Sequence, residues 1–316
     1  MSDVAAALFR RVIPGLVDRR SESEGLRGLL AGRDYTIDSL SAEVIKFGSI
    51  DSDVLLSHIL SDYSRFALAS LESHSASSMR YFSPKAAAWP LVKLYYSAFY
   101  AGHAILRALG LGIVRIDEQL PSLITQMGRI YVDPDFTFTK GTYEYEVGDF
   151  GRAQMSLILR RLDDGAAIHG AFWDHFRKFI EGVGASVVTN QEPASAQVLA
   201  RIDEFTRLLH SSGAHSSGRL SEFRNAINYR HEHGAWFPFI GQAGRRESSR
   251  ISTLGNNASI RLDLKVRDQP ILAFRHAAHF LASVNFDLAE LIVARSASRQ
   301  HEFGQHWSRL KRDASK

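Results

Sequence analysis

The sequence predicts a mainly helical protein: a helical bundle with a small β-containing insertion and one additional β-strand. Three long segments, 53–78, 84–109 and 270–297, have the apolar content and spacing expected of bundle helices. In two others, 128–149 and 258–267, apolar and polar residues alternate, which is the period of a strand with one buried face. The helical segments cover far more of the chain, so the fold class is mainly α.

The first long helix is predicted to begin at Asp51 or Ser52, either of which suits an N-terminal cap. Its apolar residues recur at the spacing of one helix face: Leu55, Leu56, Ile59, Leu60, Tyr63, Phe66 and Leu71. The second helix starts near Pro84 and Pro90 and ends before Gly110. It is apolar on nearly every side, so we expect it at the centre of the bundle.

The insertion is predicted to open with a β-hairpin or small sheet within 128–149. Helical spacing returns at about 151–163, 166–183 and 194–211, with a linker at 187–195. These elements divide the chain into an N-terminal extension (1–50), a first part of the bundle (51–127), an inserted α/β segment (128–192), a second part of the bundle (193–297) and a basic C-terminal tail (298–316).

Composition restricts the chemistry of this protein. The 316 residues are 45% hydrophobic and 23% charged, values typical of a soluble globular protein. There is no cysteine, which excludes disulfides, thiolate metal sites and a cysteine nucleophile. No apolar run has the length of a membrane span, and the first residues do not resemble a secretory signal. We therefore predict a cytoplasmic protein with no membrane partner.

The net charge of +4 is mildly basic, which permits an RNA partner without requiring one. Part of the excess is local, because cationic residues accumulate near the C-terminus: Arg295, Arg299, Arg309, Lys311, Arg312 and Lys316. A solvated terminal helix or tail explains this cluster as well as a phosphate-binding surface does.

The most informative motif is Ser221-Glu-Phe-Arg-Asn-Ala-Ile-Asn-Tyr-Arg-His231. If it forms one helix, the seven-residue step from Arg224 to His231 falls about 20° short of two turns, so both side chains share a face. Arginine can neutralise a phosphate with a planar set of donors, and histidine can transfer protons near neutral pH. The motif therefore predicts phosphodiester chemistry, although a solvated helix face explains the same spacing.

The motif resembles the Arg-x4–6-His signature of the HEPN family, helical proteins that include metal-independent ribonucleases of toxin–antitoxin, CRISPR and phage-defence systems. Asn225 matches the polar residue that the family places after its arginine. Upstream, Leu94-Tyr-Tyr-Ser-Ala-Phe-Tyr-Ala-Gly-His-Ala-Ile-Leu-Arg107 resembles the Tyr-Tyr-x-x-Phe-x-x-Ala-x-x-Leu helix that precedes the catalytic helix in many HEPN proteins. Size and layout also resemble the YaaC-like proteins.

The resemblance implies an endoribonuclease in which the RNA 2′-hydroxyl attacks the neighbouring phosphorus and leaves 2′,3′-cyclic phosphate ends. Arg224, His231 and Asn225 are then the catalytic candidates, and either His231 or His233 transfers the proton. Weaker candidates for contacting RNA are Asn228, Tyr229, Arg230 and His233.

HEPN proteins pair two motif helices across a dimer, which implies a homodimer here. A toxin or defence effector also implies a protein partner such as an antitoxin. The alternative is a non-catalytic helical scaffold that binds a protein or nucleic acid, with Arg224 and His231 in structural roles.

We predict no cofactor and no metal site. His276 and His279 have a spacing that could bind one ion, but Asp287 and Glu290 lie two or more turns away. Phosphate-loop and serine-hydrolase motifs are both missing from the sequence.

Overall fold

The computed structural model describes residues 2–21, 24–39, 43–78, 87–117, 119–162, 168–209, 219–236, 270–297 and 301–314. Within them the helices are α1 (Asp3–Phe9), α2 (Leu26–Gly32), α3 (Ser52–Ser78), α4 (Ala88–Ala108), α5 (Gln119–Tyr131), α6 (Ile168–Thr189), α7 (Ser195–Leu209), α8 (Arg219–Arg230), α9 (Pro270–Arg295) and α10 (Glu302–Ala314). The strands are β1 (Thr36–Ser39), β2 (Val44–Asp51), β3 (Leu111–Ile116), β4 (Gly141–Gly148) and β5 (Gln154–Arg161). The fold is therefore mainly helical with one small sheet.

The long helices are confirmed. Helix α3 is capped by Asp51, whose carboxylate accepts hydrogen bonds from the backbone N–H groups of Asp53 and Val54 at 2.9 and 3.1 Å. Helix α4 packs against α3, α8 and α9, which is the central position that its all-round apolar surface predicts. Helix α9 matches the segment predicted at 270–297.

The sheet is antiparallel throughout and has the order β1-β2-β5-β4-β3. Its central strand, β5, lies where the sequence predicts a helix at 151–163, so that prediction is wrong. Residues Met155, Leu157 and Leu159 alternate toward the core, and the strand pairs on both edges with β2 and β4. Tertiary pairing outweighs the helix propensity of a Leu- and Arg-rich segment.

The hairpin predicted at 128–149 is confirmed only in its last part, which is β4. Residue Ile130 belongs to helix α5 and is 73% exposed, so its apolar side chain does not mark a buried strand. Strand β3, which pairs with β4, was not predicted. The strand predicted at 258–267 lies outside the described residues.

Two of the predicted segments contribute strands to the same sheet. The N-terminal extension, 1–50, supplies β1 and most of β2, and the inserted segment, 128–192, supplies β4 and β5 of the same sheet. The C-terminal tail, 298–316, contains helix α10. Its Phe303 and Trp307 are buried, so the tail packs on the domain through an amphipathic helix.

Helix α9 is long and apolar enough to cross a membrane, and among the described helices it alone meets that criterion. Most of it is buried against α1, α4 and neighbouring elements. A buried core helix has the same composition.

Two buried histidines join α3 to α9: His74 Nε2 lies 2.9 Å from His279 Nδ1. Burial lowers the pKa of His74 to about 4, and burial together with the charge of His74 and Arg275 lowers the pKa of His279 well below its ordinary value. In the unfolded chain both histidines titrate near pH 6.5, as free histidine does.

We expect acid to destabilise the fold, because below about pH 6.5 the unfolded chain binds protons that folded His74, with its pKa of about 4, and folded His279 do not. From pH 7.5 to 5.5 the free energy of unfolding should fall by roughly 1 kcal/mol for His74, and His279 should add to this loss. Urea unfolding at the two pH values measures this change. A His74→Gln variant should show a smaller loss, and equal free energies at both pH values in the wild-type protein would contradict the expectation.

Candidate functional site

The predicted motif helix, α8, is amphipathic. Its buried face consists of Leu220, Phe223, Ala226 and Ile227, whose spacing matches one side of a helix. This face packs against α4, α7 and α9. Arg224 lies beside it and is only 7% exposed.

The Arg224 guanidinium lies between two tyrosines. Its Cζ is 5.2 Å from the ring centroid of Tyr95, on α4, and 5.9 Å from that of Tyr229, on α8 itself. Both distances suit a cation–π contact. Its Nε is buried without a hydrogen-bond partner, and no carboxylate pairs with Arg224 in the described parts of the chain. Within the described residues the arginine is therefore held by aromatic rings, and its positive charge has no carboxylate partner there.

The hydroxyl of Tyr95 makes further side-chain contacts. Trp173 Nε1 on α6 donates a hydrogen bond to it at 3.4 Å, and His169 Nδ1 lies 2.9 Å away. Burial raises the pKa of Tyr95 to about 12, while Trp173 and Arg224, acting as donors, oppose that rise. The hydroxyl thus stays protonated, and it connects α4, α6 and α8.

His169 is half-buried at the start of α6, and its ring lies 4.6 Å from that of Phe99. Burial, and after it the positive charge of Arg224, lower the pKa of His169. The imidazole is therefore neutral at pH 7. We call Arg224, Tyr95, His169 and Trp173 the Tyr95 cluster.

His231 does not share a helix face with Arg224, so that prediction is wrong. Helix α8 ends at Arg230, and His231 has a φ of 54°, in the left-handed region. The side chain is exposed, and its ring lies 5.6 Å from that of Trp236. The helix ends one residue before His231, so the ideal-helix geometry does not extend to this residue.

The helix ends there because two groups outside it satisfy its last carbonyls. The backbone N–H of Glu232 donates to the Ala226 carbonyl at 3.0 Å, and Trp236 Nε1 donates to the Ile227 carbonyl at 2.7 Å. The following chain is tied to α4, since the Ala235 carbonyl accepts from the N–H groups of residues 87 and 88. His231 therefore projects from a turn that these hydrogen bonds hold in place.

The remaining predicted residues are dispersed. Asn225 is exposed and Asn228 is half-buried. Tyr229 is 70% exposed yet contacts Arg224. Arg230 pairs with Glu232 at 3.0 Å.

His233 is half-buried and makes its own stacking contact. Its ring stacks on that of Phe223 at 4.8 Å, and burial lowers the pKa of His233. Of the predicted set, only Tyr229 is brought to Arg224.

Sequence reasoning missed His169 and Trp173, and it favoured a core role over base stacking for Tyr95, which is indeed buried. His169 and Trp173 lie one turn apart on α6, far in the chain from Tyr95 on α4, and no short motif links the two helices. The upstream Tyr-Tyr helix was the one available indication, because it pointed to α4 as the partner of the motif helix.

Among the described residues, no group of three or more His, Asp or Glu side chains could hold a metal ion. His279, one of the pair considered for metal binding, is hydrogen-bonded to His74.

Comparison with protein-family models, with curated proteins and with solved structures gives no match for this chain.

Proposed function

We propose that this protein is a metal-independent endoribonuclease of the HEPN type. The observation that carries the proposal is Arg224, a nearly buried guanidinium that contacts tyrosine rings and, in the part of the chain that the structure describes, pairs with no carboxylate. A charge kept uncompensated in a place of low dielectric interacts strongly with an anion that reaches it. An RNA phosphate is such an anion, and arginine donors match its geometry.

In the proposed reaction the RNA 2′-oxygen forms a bond to phosphorus as the bond from phosphorus to the 5′-oxygen breaks. One His231 accepts the proton of the 2′-hydroxyl, and His231 of the partner subunit donates a proton to the leaving 5′-oxygen. His231 is the acid–base group, because it is exposed beside the C-terminal end of α8. Arg224 stabilises the charge on phosphorus, and Asn225 orients the phosphate or the histidine.

The proposal includes a homodimer. In one copy of the chain, α8 ends before His231, which projects beyond the end of the helix. Arg224 lies on the helix itself and is nearly buried. Two copies related by a two-fold axis would bring two arginines and two histidines to one cleft. Asn228, Tyr229, Arg230 and His233 are its candidates for contacting RNA.

The biological setting that we propose is the cytoplasm, where a toxin or phage-defence effector meets its RNA. A protein partner such as an antitoxin would keep this activity silent.

Cleavage should persist in excess EDTA and yield 2′,3′-cyclic phosphate and 5′-hydroxyl ends, because the mechanism uses no metal ion. The test incubates purified protein with end-labelled RNA, with and without EDTA. RNA carrying a 2′-O-methyl group at the cleaved position should resist, and DNA should remain intact. Loss of cleavage in EDTA with recovery on adding Mg²⁺ or Mn²⁺ would instead indicate metal-assisted hydrolysis.

The second candidate function is a non-catalytic helical scaffold that binds a protein or nucleic acid. One observation favours it: Arg224 is 7% exposed and contacts Tyr95, as a purely structural arginine would. A scaffold leaves RNA intact at every protein concentration, and its Arg224 variants lose stability rather than activity.

A further inference from the structure

The hydrogen-bond directions in the Tyr95 cluster determine which edge of His169 carries a proton. Trp173 Nε1 is a donor only and uses one acceptor site of the Tyr95 oxygen. The Arg224 guanidinium lies beside the Tyr95 ring, 5.2 Å from its centroid, and has no acceptor atom to offer. His169 Nδ1, 2.9 Å away, is an acceptor to which the Tyr95 hydroxyl proton is then directed.

A neutral imidazole has one N–H and one acceptor nitrogen. Because Nδ1 of His169 accepts from Tyr95, the ring proton resides on Nε2, at the edge that points away from Tyr95. His169 is therefore oriented and fixed in one tautomer by a buried hydroxyl, in the way that outer hydrogen bonds orient ligating or catalytic histidines.

We propose that His169 donates its Nε2–H to an oxygen of the phosphodiester bound by Arg224, so that one anion is held by a charged and a neutral donor. This inference rests on the proposed function. Its support is that both side chains contact Tyr95: the Arg224 Cζ, on α8, lies 5.2 Å from the ring centroid, and His169 Nδ1, on α6, lies 2.9 Å from the hydroxyl. A phosphate offers several acceptor oxygens and can accept from both.

His169 acts here as a phosphate-binding residue. With its proton on Nε2, this edge of the ring cannot take a proton from the 2′-hydroxyl, so that step belongs to His231. Phosphate binding and proton transfer are thereby assigned to different histidines, His169 and His231.

The tautomer can be measured without any activity. Nitrogen-15 NMR of uniformly labelled protein should show His169 protonated at Nε2 and unprotonated at Nδ1 at pH 7.5. A Tyr95→Phe variant, which keeps the ring and removes the hydroxyl, should lose the single tautomer and show a mixture. An Nδ1–H tautomer in the wild-type protein would overturn the inference.

Binding is measured with a 2′-O-methyl oligoribonucleotide, which cannot be cleaved. His169→Leu should weaken binding by about 10- to 100-fold, the range expected for one hydrogen bond to a charged group. His169→Gln, whose amide can place an N–H near the position of Nε2, should recover binding to within about threefold. Thermal unfolding of both variants serves as the control for the fold.

The outcomes separate the two proposals. If the wild-type protein binds the oligonucleotide and His169→Leu weakens binding, but no RNA is cleaved, the ribonuclease proposal fails and the phosphate contact stands. If RNA is cleaved and His169→Leu leaves binding, KM and kcat unchanged, the ribonuclease proposal stands and His169 has no part in it. A wild-type protein that does not bind the oligonucleotide would overturn the inference outright.

Discussion

Replacement of Arg224 by lysine should lower the rate of RNA cleavage by about 10²- to 10³-fold, the usual cost of losing a preorganised donor from a charged transition state. The positive charge survives in this variant. What is lost is the planar guanidinium, which lies 5.2 Å and 5.9 Å from the ring centroids of Tyr95 and Tyr229 and whose N–H groups match two oxygens of a phosphate. Single-turnover cleavage of end-labelled RNA measures the effect.

The matched control is Arg207→Lys on α7, outside the proposed site. Arg207 is exposed and pairs with Asp203 at 2.7 Å, a surface ion pair that contributes little to stability. Cleavage by this variant should stay within about threefold of wild type. Near-normal cleavage by a folded Arg224→Lys protein would reduce Arg224 to a general positive charge, and an unfolded variant would favour the scaffold.

Substitution of His231 by asparagine should reduce cleavage by about 10²- to 10⁴-fold while leaving the fold intact. The imidazole that transfers the proton is removed, but the backbone at this position is left-handed, with a φ of 54°. Asparagine adopts this conformation more readily than most residues, so the end of α8 is not disturbed. Cleavage rates and thermal unfolding are measured on the same preparation.

Two other histidines test whether the loss is specific. His306 lies on α10 and is 57% exposed, so His306→Ala should leave cleavage unchanged. His233, next along the turn, is stacked on Phe223, and His233→Asn should reduce cleavage far less than His231→Asn. Undiminished cleavage by His231→Asn, or a larger loss in the His233 variant, would move the acid–base role away from His231.

Hydrophobic periodicity was sufficient to predict the long helices. Segments 53–78 and 270–297 were predicted within a few residues of α3 and α9, because extended apolar faces at helical spacing have few other solutions. It was insufficient for short apolar runs. Segment 151–163 suits either a helix or a strand by composition, and pairing with β2 and β4 decided for the strand.

The motif shows the same limit at the level of single residues. The spacing of the motif is compatible with an ideal helix that continues through His231. The observed helix end instead involves Trp236 and Glu232, which lie beyond the helix and donate hydrogen bonds to carbonyls of its last turns. Which residues bond to a helix end from outside cannot be read from the helix sequence alone.

By itself, the sequence determined the mainly helical class, the central place of α4, the lack of thiol chemistry and the presence of an arginine beside a polar residue on α8. Those properties depend on composition and on local periodicity, which a linear chain records directly. Only the tertiary structure decided that Arg224 is nearly buried against Tyr95, that His231 lies beyond the end of the helix, and that His169 contacts the Tyr95 hydroxyl. These contacts join α4, α6 and α8 across long stretches of chain, and packing alone sets which side chains face one another there.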